Sequence, residues 1–246
     1  MATLQGKTVV VVGGTSGIGF AVALASLQSQ AKTVIIASSS QEKVDRGIQR
    51  LKAHNLPGEV KGEVVNARDS ESVKQFTIGL GAVDHIVWSS GDNPGKSLFD
   101  STIDTVEKGQ ATFEIRFWGP FVLAKHAKFN PGGSLTLTSG MAAWKPWKGA
   151  HLGSGMLSSL DGLTRGLAVD LAPVRVNLVN PGLIDTELFD AMFGEKKQEV
   201  FATFDKKTLL GRIGKPEEIA EAYLFLMKCG FITGQIIYVE GGGILV

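Results

Sequence analysis

One cysteine, Cys229, stands in this chain of 246 residues, which excludes internal disulfides and any multi-cysteine metal site. Neither sign of charge dominates. The 25 basic and 24 acidic residues leave a formal net charge of +1, so neither nucleic acid nor a membrane surface is expected as a partner. No apolar run approaches the ~20 residues of a membrane span, and the opening Met-Ala-Thr-Leu-Gln-Gly-Lys has no apolar signal core. Short repeats, low-complexity tracts and linkers are missing as well. These absences lead to the expectation of a cytoplasmic protein acting on a small molecule. Tyrosine is scarce: only Tyr223 and Tyr238 occur, so none stands between residues 1 and 222.

What is present is concentrated in residues 7–19, Lys7-Thr-Val-Val-Val-Val-Gly-Gly-Thr-Ser-Gly-Ile-Gly19. Thr8 to Val12 are all β-branched and read as a strand buried on both faces. Glycines 13, 17 and 19 then lead into a helix that continues Phe-Ala-Val-Ala-Leu-Ala. The first amides of such a helix have no backbone partner, and its dipole favours a phosphate there. Glycine lets the backbone approach a pyrophosphate without a side chain in the way. Gly13, Thr15, Ser16, Gly17, Ile18 and Gly19 are therefore the expected phosphate cradle.

Strand-like runs recur at 7–12, 33–37, 60–65, 83–88, 133–138, 174–179 and 235–239. Helix-like segments lie between them near 17–30, 41–54, 70–80, 101–128, 153–171 and 216–229. This alternation predicts an α/β fold: a single Rossmann-like, doubly wound parallel sheet of about seven strands flanked by helices. One dinucleotide-binding domain is expected over 1–246. In the segment near 153–171, Leu157, Leu160, Leu163 or Thr164, Leu167 and Leu171 fall on one helix face, suited to packing on the sheet. The least regular stretch, 181–215, mixes Phe189, Met192, Phe193, Phe201 and Phe204 with charges and predicts a substrate lid near 185–212. In open sheets ligands bind beyond the carboxyl ends of the strands. Residues 13–19, 38–43, 88–96, 139–151 and 180–193 should therefore converge on one cleft.

With these motifs the chain resembles the short-chain dehydrogenase/reductase family nearly end to end. Gly13-x-x-x-Gly17-x-Gly19 fits the family's cofactor turn, and Asn180-Pro-Gly-Leu-Ile-Asp-Thr186 fits the segment bracketing the nicotinamide. Gly211-Arg-Ile-Gly-Lys-Pro-Glu-Glu-Ile219 and Thr233-Gly-Gln-Ile-Ile-Tyr-Val-Glu-Gly-Gly242 fit its C-terminal signatures. The resemblance implies cofactor contacts from Asn66, Ala67, Ser89, Gly91, Pro181, Gly182, Ile184 and Thr186, the Thr186 hydroxyl binding the carboxamide. Asn66 stands where the family usually has an Asp beside the adenine. It also implies a homodimer or homotetramer.

The end of the second strand selects the cofactor. Chains that take NAD place a carboxylate there for the ribose hydroxyls, whereas this one reads Val34-Ile-Ile-Ala-Ser-Ser-Ser-Gln-Glu-Lys43. Ser38, Ser39 and Ser40 can donate to a 2′-phosphate and Lys43 adds charge, so NADP(H) is expected. Alternatively the serines merely cap the next helix, for which Ser40 is suited.

At the catalytic positions the chain departs from the pattern it resembles. The family carries a Ser, then a Tyr that acts as the acid, then a Lys four residues beyond. Ser139 fits the first, but His151 falls at the Tyr position and Gly155 at the Lys position. Arg116 stands where the family has an active-site Asn, and Trp88-Ser-Ser-Gly91 replaces Asn-Asn-Ala-Gly. Three readings stay open. His151 is a replacement acid, since an imidazole with a pKa of ~6.5 can deliver a proton at neutral pH, with Ser139 and Arg116 orienting the substrate. Alternatively, the chain reduces an iminium or activated alkene that needs little acid help, or cyclises a hydrophobic substrate over the cofactor. Trp88, Trp144, Trp147, Phe189 and Phe193 would line that pocket, against ordinary core or lid packing. Finally, it is a cofactor-binding pseudoenzyme.

Overall fold

The structure, a computed structural model, describes residues 3–91 and 99–246, with residues 191–193 described by their backbone only. Seven parallel strands form one sheet in the order β3-β2-β1-β4-β5-β6-β7. They are β1 (Thr8–Val12), β2 (Thr33–Ser38), β3 (Glu59–Val64), β4 (Ala82–Trp88), β5 (Lys128–Thr138), β6 (Arg175–Pro181) and β7 (Ile236–Val239). The order reverses between β1 and β4, so the crossover helices leave to opposite faces and a crevice opens at the carboxyl ends of those two strands.

β1 shows why the strands form. Val9 and Val11 pack into one apolar core with the helices α1 (Gly17–Gln28) and α9 (Pro216–Lys228). Val10 and Val12 pack into a second core on the other face, with Leu123 of α5 (Gly119–His126) and Leu160 and Leu167 of α6 (His151–Asp170). A strand covered on both faces is apolar at every position rather than at alternate ones. Each valine so buried contributes roughly 1.5 kcal/mol or more of transfer free energy. Lys7 and Asp84 anchor the start of this strand pair: Asp84 accepts from the Thr8 N–H at 2.8 Å and from Lys7 Nζ at 3.1 Å.

Local sequence fixes the remaining helices. Ser40 caps α2 (Gln41–Lys52) by accepting from the Lys43 N–H at 3.5 Å, and Asp69 caps α3 (Ser70–Gly79) from the Glu71 N–H at 2.9 Å. The helix expected over 101–128 is shorter and broken in register. Thr105 caps α4 (Val106–Phe113), a π turn runs over Glu114–Trp118, and α5 follows from Gly119. The segment expected as a lid folds as α7 (Glu187–Phe193) and α8 (Lys197–Asp205), clasped by Lys197, which pairs with Asp185 at 2.7 Å and with Asp190 at 2.5 Å.

Candidate functional site

Two adjoining cavities occupy the crevice. The larger, about 490 Å³, runs from the glycine turn across the ends of β2, β3 and β4 to β6. Gly13 has φ +87°, and a Cβ there would fall 2.7 Å from the Ser90 nitrogen. A Cβ on Gly19 would fall 2.2 Å from the Gly13 carbonyl oxygen. Only a chain without side chains at both points can seat α1 so tightly on the turn, with its N-terminus facing the cleft. The cavity's polar wall suits an anion: Lys43, Arg68 and Arg116 line it, and no carboxylate is among its described lining residues. The residues present therefore fit a dinucleotide.

Of the expected cofactor contacts, Gly13, Thr15, Ser16, Gly17, Ile18, Gly19, Ser38, Ser39, Lys43, Asn66, Ala67, Ser89, Gly91, Pro181 and Thr186 line this cavity. Thr15 Oγ1 donates to Ser38 Oγ at 3.2 Å, and Lys43 Nζ donates to Ser39 Oγ at 3.4 Å. Three expected contacts lie elsewhere. Ser40 is spent on capping α2. Ile184 is buried in the core beside Ile219, because the parallel bridge of Ile184 to Gly214 turns it inward. Gly182 faces the second cavity, held where a Cβ would fall 2.8 Å from the Glu240 α-carbon. Sequence reasoning missed Arg68, two residues past Asn66, whose Nη1 donates to Glu114 at 2.7 Å. Its signal was a lone cation just beyond the end of β3.

The second cavity, about 230 Å³, is almost wholly apolar. Phe99, Trp147, Leu183, Phe189 and Phe204 wall it, with Met141 and Leu157 at its floor. Trp147 leans on Phe99 at 4.5 Å between ring centroids, and Phe189 meets Phe201 edge-on at 5.9 Å. Trp147 and Phe189 thus stand where a substrate pocket was expected. Trp88 does not: it is 1% exposed, packed where a Cβ on Gly119 would fall 2.4 Å from its ring. Its position at the end of a strand covered on both faces puts it in the core. Trp144 lies at the surface, edge-on to Tyr238 at 5.7 Å, and lines neither of the two cavities. The Phe193 side chain lies outside the described residues.

Arg116, Ser139 and Pro181 line both cavities and form the boundary between them. The π turn presents Arg116, whose guanidinium lies over Gly91. π turns inside α-helices frequently occur at functional sites. Ser139, buried, follows β5 and donates its hydroxyl to the Leu157 carbonyl at 3.0 Å. His151 is not brought to them. It is exposed and lines neither cavity. At about 100° per residue it falls opposite the Gly153–Met156–Leu157–Leu160 face that α6 buries. A tyrosine does lie beneath the cleft, from an unexpected direction: Tyr223 of α9 sits 2.7 Å from Thr138 Oγ1. It is fully buried, and that burial pushes its phenol well above the usual range.

Among the described residues no group of three or more His, Cys, Asp or Glu is placed to hold a metal, and no helix is long and apolar enough to cross a membrane.

A family model described as an SDR-like Rossmann domain matches residues 1–246. The chain is 35% identical over 256 residues to the short-chain dehydrogenase/reductase malC of Malbranchea aurantiaca, covering 98% of this chain and 96% of that one. It is 36% identical to the short-chain dehydrogenase/reductase fsr5 of Gibberella fujikuroi, covering 100% and 97%. Among solved structures, MalC Reductase/Diels-Alderase from Malbranchea aurantiaca superposes with a TM-score of 0.90 at 34% identity, over 99% of this chain and 98% of that one. A small-chain dehydrogenase in complex with NADPH superposes with a TM-score of 0.79 at 28% identity, over 98% and 100%.

Proposed function

Because the chain belongs to the short-chain dehydrogenase/reductase family, we propose that it is an NADP(H)-dependent oxidoreductase with a non-standard site. It reduces a C=O, or a C=C conjugated to one, in a small hydrophobic substrate. The observation that carries this reading is the shared boundary: a cationic side chain and a hydroxyl stand where the anion-binding cleft meets the apolar chamber.

The bound nicotinamide supplies hydride; the chain supplies everything else. The apolar walls hold the substrate. Arg116 is permanently charged and cannot serve as a proton donor at neutral pH. Its guanidinium can stabilise the oxyanion of an alkoxide or enolate as it develops. The same charge would repel a cationic C=N, so of the acceptors open to this fold it favours the carbonyl and the enone. Ser139, with its hydrogen committed to Leu157, offers lone pairs to a substrate O–H or N–H. Apart from Arg116, the described residues lining the chamber include no titratable side chain, so solvent water supplies the final proton in this reading. NADPH as the donor is supported by Ser38, Ser39, Lys43 and Arg68 along a wall whose described lining residues include no carboxylate, and by the NADPH-bound relative. Self-association as a dimer or tetramer, part of the same reading, would cover the aromatic row Phe117, Trp118 and Phe121.

Turnover of 4-deuterated NADPH with a panel of ketones, enones and imines tests this. Deuterium should appear in ketone or enone products. Tight cofactor binding with no deuterium in any product would sink the reductase. A second reading, cyclisation of a hydrophobic substrate over the bound cofactor, draws on the apolar chamber and the relative described as a reductase/Diels-Alderase. It is favoured if the product is rearranged but carries no deuterium.

A further inference from the structure

The lid carries an anion of its own into the glycine turn. Thr186 and Leu188 line the dinucleotide cleft and Phe189 lines the apolar chamber, so the start of α7 touches both cavities. Between them, Glu187 reaches across to the turn. Its Oε2 accepts from the Gly17 N–H at 2.8 Å, and its Oε1 accepts from Arg50 Nη2 at 3.2 Å. Arg50 is itself held in place. Its guanidinium stacks 3.9 Å from the centre of the Phe20 ring, and its Nη1 donates to the Thr15 carbonyl at 3.3 Å.

Gly17 opens α1, and its N–H is among the donors a G-x-x-x-G-x-G turn offers to a pyrophosphate. One N–H does not serve two anions at full strength, and a carboxylate and a phosphate at the same donor repel each other. We propose that Glu187 is a built-in competitor of the cofactor's pyrophosphate. Loading the dinucleotide exchanges one anion for another at Gly17 and Arg50 and breaks the tie between the lid and the turn. This rests on the reading that the cleft takes a nicotinamide dinucleotide. The exchange is a local side-chain swing, because Lys197 holds Asp185 and Asp190 on either side of Glu187. Glu187, half-exposed, has solvent to swing into.

Glu187→Ala and Glu187→Gln test the competition by calorimetric titration with NADPH, NADH and ADP-ribose, all of which carry the pyrophosphate. Both variants should bind all three more tightly, by roughly two- to fivefold, the scale of one exposed ion pair. Adenosine 2′-monophosphate, which has no pyrophosphate, should bind wild type and variants equally. The melting temperature of the free protein should fall as Gly17 and Arg50 lose their partner, and the rise on adding NADPH should grow. Unchanged or weaker dinucleotide binding in both variants overturns the proposal. So does an equal gain for adenosine 2′-monophosphate, which would mark a general loss of negative charge. If wild type and variants bind none of the dinucleotides, the cofactor reading falls as well; equal tight binding by all three proteins removes only the role of Glu187.

Discussion

The guanidinium of Arg116 lies against the α-carbon of Gly91, so closely that a methyl group there would fall 2.1 Å from Nη2. Gly91 lies three residues past β4 and Arg116 sits in the π turn, so their contact fixes the cation at the boundary of the two cavities. Gly91→Ala should push the guanidinium away from that boundary without removing it. Arg116→Ala should lower kcat by about 10²-fold, the scale of losing one oxyanion donor. Gly91→Ala should reproduce part of that loss, and the double variant should be no worse than Arg116→Ala, because both changes remove one interaction. Steady-state kinetics on the four proteins measure it, and additive losses would separate the two residues.

The end of β2 should set cofactor choice. NADPH should be preferred over NADH by at least about tenfold, or 1.4 kcal/mol. Ser38→Asp places a carboxylate where the 2′-phosphate would bind, and should reverse that order. Competitive titration of wild type and variant with both cofactors gives the ratio directly. An NADH-preferring wild type contradicts the role given to Ser38, Ser39 and Lys43.

His151→Ala should leave turnover within about twofold across pH 6–8, since the imidazole is solvent-exposed and lines neither cavity. A loss of tenfold or more, concentrated on the acidic side where an imidazole holds its proton, would restore it as the proton donor.

Acid should weaken the fold through His85. Burial lowers its pKa from 6.5 to about 4, and its Nδ1 lies 2.9 Å from Ser134 Oγ in the interior. Above pH 6.5 neither folded nor unfolded chain holds the proton and nothing is lost. Between 6.5 and 4 the unfolded chain binds it and the folded chain does not, so stability falls with falling pH. The slope approaches about 1.4 kcal/mol per pH unit, for a total of ~3 kcal/mol. Urea titrations of wild type and His85→Gln at pH 7, 6 and 5 should show this part of the slope only in wild type.

Backbone periodicity made the sheet legible. All seven strands overlap the expected runs, and in β1, β4 and β6 burial on both faces leaves an unmistakable pattern, whereas β3 is largely exposed and β5 starts five residues early. The lining of the larger cavity was nearly as readable, since glycines, caps and short loops act locally. The chamber was not. Trp88 and Trp147 are the same residue type, yet one is core and the other wall, a difference set by Gly119 and Phe99 from distant segments. The Glu187–Gly17 hydrogen bond joins residues 170 apart, and no local pattern carries that. The π turn also escaped periodicity, because an uninterrupted apolar helix pattern does not show an inserted residue.

That inserted residue ties the position of Arg116 to the length of the gene. A π turn holds one residue more than the α register it interrupts. Losing a single codon within 114–118 would restore a continuous helix from α4 to α5. It would also rotate the two halves by about 100° relative to each other. The packing of α5 and the aim of the guanidinium could not both survive, so insertions and deletions, more than substitutions, are what this part of the site cannot absorb.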